Sequence, residues 1–392
     1  MSTAYALTGA DIFDGENWHT GSAILVDEGV ISAIVAEADI PAGIRRVEMQ
    51  GGKLVPGFID VQVNGGGGVL LNDGPTVEAI RTICKAHVAF GTTALLPTLI
   101  TDTPEITNAA IAAGKAAAQE KVAGFIGLHL EGPHLSVSHK GTHDPALIRP
   151  MEDSDLVAII EAVQELPVLL TTVAPETVPA DKIKAMVDTG VIVSIGHSGA
   201  SYDIAIAAKE AGASMATHLF NAMSQLGHRA PGVVGAVLES GELSAGLIAD
   251  GFHVDKASMA IALRAKKGPA KIFLVTDAMS TIGTDITTFT LNGRTIRREG
   301  GRLTLEDGTL AGADLDMISA VRFVHHELGL DLDEALRMAS LYPAESIRID
   351  HQYGRINAGY VANIVHLDDA LDVDHVWIDG DVHYARGSTS SP

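Results

Sequence analysis

Short apolar runs alternate with apolar stripes of helical spacing along most of the chain. Thr76 to Phe90 places Val77, Ile80, Ile83, Cys84 and Val88 on one helical face and stops at Gly91. Leu156, Ile159, Ile160 and Val163 repeat the same i, i+3, i+4, i+7 spacing, and Pro104 to Gln119 reads as another helix. Between such segments stand Leu54 to Val61, Thr93 to Pro97, Gly124 to Leu130, Val168 to Val173, Val191 to Ile195, Met215 to Leu219, Ala245 to Ala249 and Ile272 to Thr276. These predict eight strands. Eight strands separated mostly by helices point to an α/β fold, a closed (β/α)8 TIM-type barrel rather than an open sheet.

The two ends of the chain follow another pattern. Ala4 to Leu7, Ser22 to Val26 and Val30 to Val35 are short strand-like runs broken by Asp14-Gly15 and Glu28-Gly29. After helical segments at Met317 to Leu328 and through Ala339, Asn363 to Leu367 and His375 to Ile378 alternate again as strands. Neither end is long enough to bury a core alone. The economical arrangement is one small β-sandwich built from both termini, residues 1–55 and 349–392, beside a (β/α)8 barrel at 56–348.

Composition narrows the function. The chain has 392 residues, 46% hydrophobic and 19% charged, which describes a folded globular protein. A net charge of -22 argues against nucleic acid as a partner while leaving room for a small phosphorylated ligand in a locally basic pocket. Cys84 is the single cysteine, so any metal must be held by histidines and carboxylates. No Lys or Arg precedes Arg45 and no apolar run reaches a membrane span, so neither a secretory leader nor a membrane partner is expected and the cytoplasm is the default compartment.

The candidate chemistry sits where apolar runs stop. Glu131 follows Phe125 to Leu130, His197 follows Val191 to Gly196, His218 follows Met215 to Thr217, and Asp277 follows Ile272 to Thr276. These are the C-terminal ends of barrel strands, where barrel enzymes build their sites. A lone histidine after a strand is more often structural than a ligand, while a lone acid there is about as often merely solvated, and before a turn caps a helix in roughly one case in three. Their joint occurrence changes that reading. Two imidazoles and one carboxylate leave a position open for water on a metal ion, and a further carboxylate can move the protons that hydrolysis requires. In its strand Glu131 shares a face with His129, which would lie beneath it.

The segments Leu128-His129-Leu130-Glu131-Gly132-Pro133, Lys140-Gly141-Thr142-His143, Gly196-His197-Ser198, Thr217-His218-Leu219-Phe220-Asn221-Ala222-Met223, Asp250-Gly251-Phe252-His253 and Thr276-Asp277-Ala278 resemble those of the N-acetylglucosamine-6-phosphate deacetylase family, within the amidohydrolase superfamily. The likeness runs from Pro56-Gly57-Phe58-Ile59-Asp60 to Gly354-Arg355-Ile356, and Asn221-Ala222 with the downstream Arg229 is its most specific part. It implies hydrolysis of the acetamide of N-acetylglucosamine 6-phosphate, in amino-sugar catabolism and cell-wall sugar recycling. It implies that Glu131, His197 and His218 hold one divalent metal ion per subunit, zinc first, with iron, cobalt or manganese also compatible. Asp277 and His143 would be the catalytic pair, the proton shuttle and the donor to the acetamide oxygen. Thr142, His143, Asn221, Ala222, Arg229, Asp250, Gly251, Phe252, His253, Leu310, Ala311 and Gly312 would contact the sugar phosphate, and the protein would be a homodimer.

Many superfamily members carry His-x-His in the first strand for a second metal. This chain has Gln62-Val63-Asn64, and neutral amides are poor zinc ligands. His134, His139 and His228 receive no role from the pattern. Two alternatives stand beside the main reading: deacetylation of the galactosamine epimer or another N-acyl amide, and a catalytically inactive barrel serving as a structural protein.

Overall fold

A computed structural model describes residues 4–387. Eight parallel strands form the central sheet: β1 (Phe58–Val63), β2 (Thr92–Ile100), β3 (Leu128–Glu131), β4 (Leu169–Val173), β5 (Ile192–Ile195), β6 (Met215–Ala216), β7 (Ser244–Ile248) and β8 (Ile272–Val275), each beside its neighbours in chain order. Past the strand ends, Val63 bridges Ala278, the Asp277 amide donates to Gln62, and the Asn64 amide donates to Ala278. The ring is thereby closed as the alternation predicts. Every residue of these strands is buried, as parallel strands covered on both faces require.

Helices alternate with the strands: α1 (Val77–Val88), α2 (Pro104–Gln119), α3 (Asp153–Ala162), α4 (Ala180–Asp188), α5 (Tyr202–Glu210), α6 (Gly232–Glu239), α7 (Lys256–Ala265) and α8 (Met317–His326). Local chemistry starts several of them. Thr103, Ser201 and Asp255 accept from the amides of Ile106, Ile204 and Ala257, caps that satisfy first-turn donors of α2, α5 and α7.

The chain divides into two compact units, one holding the chain up to Ile59 with 87–94 and everything from Met317 onward, the other holding 60–86 and 95–316. Within the first, a four-stranded sheet orders Val30–Ala36, Ser22–Asp27, Tyr5–Thr8 and Arg45–Glu48. A six-stranded sheet orders Asp381–Ala385, Val373–Ile378, Ile364–Leu367, Lys53–Pro56, Asp11–Phe13 and Trp18–His19, so it draws on both termini. Leu7, Ile24 and Ile31 of one sheet pack with Ile12, Leu54, Ile364 and Trp377 of the other.

Two departures from the sequence pattern have clear causes. The run Leu54 to Val61 is two strands: Lys53–Pro56 pairs with Ile364–Leu367, and β1 begins at Phe58. Gly57 divides them, and a Cβ there would meet the Thr93 side chain at 2.1 Å. Between β8 and α8 stands an antiparallel sheet of Thr288–Leu291, Arg294–Glu299 and Arg302–Thr304, whose apolar side carries Leu291, Ile296 and Leu303 with the partly buried Phe289, among many charges.

Candidate metal centre at the barrel mouth

Glu131 is the last residue of β3, while His197, His218 and Asp277 lie just past β5, β6 and β8. The three that follow their strands have positive φ, 47°, 33° and 52°. Residues with side chains avoid this region at a cost of roughly 1–3 kcal/mol each, and such strain persists where the surrounding structure holds a functional side chain in place. The backbone turns sharply at each strand end and delivers the side chain into the mouth.

There the Nε2 atoms of His197 and His218 and Oε1 of Glu131 form a triangle with all three edges 3.1 Å. His197 donates through Nδ1 to the His139 carbonyl at 2.9 Å, so in the neutral ring Nε2 presents a lone pair to the carboxylate oxygen. Acceptors facing one another repel unless a proton or a cation lies between them. Tetrahedral zinc with bonds of about 2.0–2.1 Å has ligand edges near 3.3 Å, so the donor spacing fits a divalent ion. Burial works against charge on Glu131, but the hydrogen bonds and charges of His197 and His218 hold it well below the usual carboxylate range. Burial likewise disfavours a charged His218, yet Glu131 raises it above the ordinary histidine value. A field that favours a proton there also favours a metal cation.

Asp277 is treated differently. Its Oδ1 accepts from Asn64 Nδ2 at 2.7 Å and from Gln62 Nε2 at 3.2 Å, and Gln62 Nε2 also reaches Glu131 Oε1 at 3.1 Å. Burial and the nearby Glu131 charge push the Asp277 carboxyl up to about 6. A carboxyl poised there can both take and return a proton near neutrality. Gln62 and Asn64 therefore serve as donors that orient this acid.

His143 joins the site from the loop after β3. Its Nδ1 accepts from the Thr101 amide at 3.3 Å and lies 2.7 Å from Thr101 Oγ1. Burial and then the neighbouring His197 hold it well below the ordinary histidine value, so the ring is neutral. With Nδ1 accepting, Nε2 carries the hydrogen. His143 lies close enough to Glu131 and His197 to be counted in one ligand cluster, although this tautomer turns its Nε2 hydrogen, not a lone pair, outward.

A cavity of about 230 Å³ opens above these groups, lined by Asn64, Glu131, Thr142, His143, His197, His218, Asn221, Ala222, His253, Asp277, Leu310 and Gly312 among others. Asp250 stands behind it: Oδ2 accepts from His253 Nδ1 at 2.6 Å, while Oδ1 takes the amides of Phe252 and His253. Phe252 is 39% exposed with Arg302 over its ring, Gly251 forms the positive-φ turn between them, and Ala311 is fully buried. Arg229 and His228 are exposed and do not line the cavity. A larger cavity, about 340 Å³, lies by α2 and α3 with His134 and Arg149 in its wall, but Arg149 is paired with Asp155 and none of the four strand-end residues reaches it.

Further residues support the site, His129 where strand alternation set it and others that the sequence pattern did not single out. His129, beneath Glu131, bonds Thr172 Oγ1 at 2.7 Å, which continues to Thr217 and Ser194, a polar stack under the ligands. Burial pushes His129 down to about 4, so the stack adds no positive charge. Arg294 donates to the Thr142 carbonyl, tying the inserted antiparallel sheet to the loop that carries His143. Strand alternation alone could have placed Asp60 and Gln62 on one face. Nothing local foretells Arg294.

Comparison with known proteins agrees with the geometry. The model of the amidohydrolase family matches residues 54–383, and that of the NagA composite domain matches residues 4–54. The chain is 44% identical over 378 residues to the N-acetylgalactosamine-6-phosphate deacetylase of Shewanella sp. (strain ANA-3), covering 96% of this chain and 95% of that protein. It is 35% identical over 372 residues to the N-acetylglucosamine-6-phosphate deacetylase of Haemophilus influenzae, covering 92% and 94%. The crystal structure of N-acetylglucosamine-6-phosphate deacetylase from Pasteurella multocida superposes with a TM-score of 0.94 at 38% identity, covering 97% of this chain and 100% of that one.

Proposed function

The chain belongs to the amidohydrolase family, and from that premise we propose that it hydrolyses the acetamide of N-acetylglucosamine 6-phosphate to glucosamine 6-phosphate and acetate. The observation that carries the reading is the triangle of Glu131, His197 and His218 beside a carboxyl pushed up to about 6. One divalent metal, zinc first, would be held by those three residues and would supply Lewis acidity toward the amide carbonyl and its attacking water.

The chain's own residues do the rest. Asp277 takes the proton from the attacking water and returns it to the departing nitrogen. His143 donates from Nε2 to the acetamide oxygen as that oxygen gains charge. Gln62 and Asn64 hold Asp277 in register, and Asn221, Leu310 and Gly312 shape the sugar pocket. His253, oriented by Asp250, supplies a polar tip to the cavity. Arg229 lies on an exposed segment outside the cavity lining. In this reading it reaches the phosphate from a second copy of the chain, in the homodimer. A phosphorylated sugar does not cross a membrane unaided, which supports the cytoplasm as the compartment of this reaction.

A second reading, the galactosamine epimer, is favoured by the 44% identity to the Shewanella enzyme. Acetate release from both 6-phosphates by the purified protein, with metal content measured on the same sample, decides the matter. Turnover of neither sugar phosphate by metal-loaded protein would sink the assignment.

A further inference from the structure

A second group of histidines and a carboxylate lies in the sandwich built from the two termini. His366 and His375 pair directly across the antiparallel strands Ile364–Leu367 and Val373–Ile378. The register then shifts, Leu367 pairing with Val373, so Asp374 is the extra residue of a bulge. A bulge sets two residues against one and re-aims a side chain. Here it brings successive residues, Asp374 and His375, onto the same imidazole.

Oδ2 of Asp374 lies 3.3 Å from Nδ1 of His366 and 3.1 Å from Nδ1 of His375. His366 is 4% exposed, and its Nε2 donates to the Gly51 carbonyl at 2.8 Å. In the neutral ring that bond leaves Nδ1 as a lone pair, and this buried Nδ1 has no hydrogen-bond partner. A buried acceptor aimed at a carboxylate is unfavourable unless a cation intervenes. The arrangement of His366, with the far nitrogen fixed by a backbone carbonyl and the near one free, is how proteins orient metal-ligating histidines.

Other groups bear on the cluster. Arg386 packs from the neighbouring strand end with Nε 3.7 Å from Asp374 Oδ1, but its Nη1 is engaged by Asp368 at 2.9 Å. His375 stacks on Trp377 with ring centroids 5.6 Å apart, which fixes its plane. The side chains of Asp374 and His375 are each 32% exposed, leaving the outer side open to water.

We propose that His366, Asp374 and His375 form a second cation site, separate from the barrel mouth, that takes a borderline divalent ion of the zinc class. Two imidazole nitrogens and one carboxylate oxygen suit zinc, nickel or copper rather than magnesium or calcium, whose preference is for oxygen. Water completes the shell on the exposed side, so the ion exchanges and is lost on exhaustive dialysis. Its role is structural: it clips the bulged strand to its neighbour and, through His366, to the Gly51 turn.

The test is an equilibrium titration of the dialysed full chain with Zn²⁺ against a chromophoric chelator, alongside thermal melts. Wild type should take up one further equivalent, bound at least 100-fold more weakly than the ion retained through dialysis, and its melting midpoint should rise with added Zn²⁺. His375→Ala, at a half-exposed position, should lose that equivalent and the zinc-dependent rise while keeping the tight ion and acetate release. Asp374→Asn should weaken the second equivalent at least 10-fold. A Glu131→Gln, His218→Ala double variant should keep it. Absence of a second equivalent in wild type, or titrations of His375→Ala and Asp374→Asn that match wild type, would overturn the proposal.

Discussion

The two sides of the barrel mouth each hold a buried carboxylate and treat it in opposite ways. On the β3, β5 and β6 side, two imidazoles face Glu131 and hold it charged. On the β8 and β1 side, two neutral amides face Asp277, and burial beside Glu131 raises its affinity for a proton. Imidazoles and a metal fix a carboxylate as a ligand, whereas amides orient it without removing its ability to take a proton. In the proposed reaction, the division of labour between ligand and base would follow from that choice of neighbours.

Breaking the imidazole side should have the largest effect. Glu131→Ala or His218→Ala should lower metal content after exhaustive dialysis from about one ion per chain to none, and abolish turnover. Two tightly held ions per wild-type chain, both needed for activity, would mean that the amide side also binds metal and would end the contrast.

Breaking the amide side at its centre comes next. Asp277→Asn should keep the fold and the metal while turnover drops at least ~100-fold. Near-normal acetate release by a folded, metal-loaded variant would remove Asp277 from the chemistry.

Arg229→Ala leaves both sides of the mouth intact. It should weaken use of the 6-phosphate sugar by roughly 1.5 to 3 kcal/mol, a factor of about 10 to 150 in kcat/KM, and hardly change the poor activity on the unphosphorylated sugar. Equal losses on both substrates would make Arg229 structural.

The smallest and sharpest test is Asn64→Ala. Asn64 donates to Oδ1 and so favours the charged form of Asp277. Removing it should raise the proton affinity of Asp277, moving the acid limb of kcat/KM to higher pH, with a loss of about 10-fold at pH 7 or less. A limb that stays put or shifts to lower pH would show that Asn64 does not act through Asp277.

The four residues that converge at the mouth were legible because barrel strands buried on both faces read as unbroken apolar runs, so a Glu, His or Asp that ends one is conspicuous. Glu131, His197, His218 and Asp277 all announced themselves in that way. The boundary inside Leu54 to Val61 did not, since both strands are apolar and only the close approach of Thr93 to Gly57 separates them. The inserted sheet was hidden because Arg294–Glu299 carries a single buried residue, Ile296, among its charges. Gln62 and Asn64 could be recognised as poor ligands, but their role as donors to Asp277 depends on β1 closing against β8. The cluster at His366 depends on a register shift, which pairing alone reveals.

The six-stranded sheet has a consequence for biosynthesis. Lys53–Pro56 lies between Asp11–Phe13 and Ile364–Leu367. Its first partner leaves the ribosome early, but the second follows some 300 residues later, roughly 15–60 s at ordinary elongation rates. Throughout that interval the nascent chain carries an apolar strand with one open edge, the kind of surface that invites pairing with other chains. The barrel segments emerge meanwhile, so completion of this sheet is among the last events of folding. Slowed translation beyond the barrel should therefore raise aggregation more than an equal pause within the first 50 residues, and a chaperone that shields strand edges should have its greatest effect there.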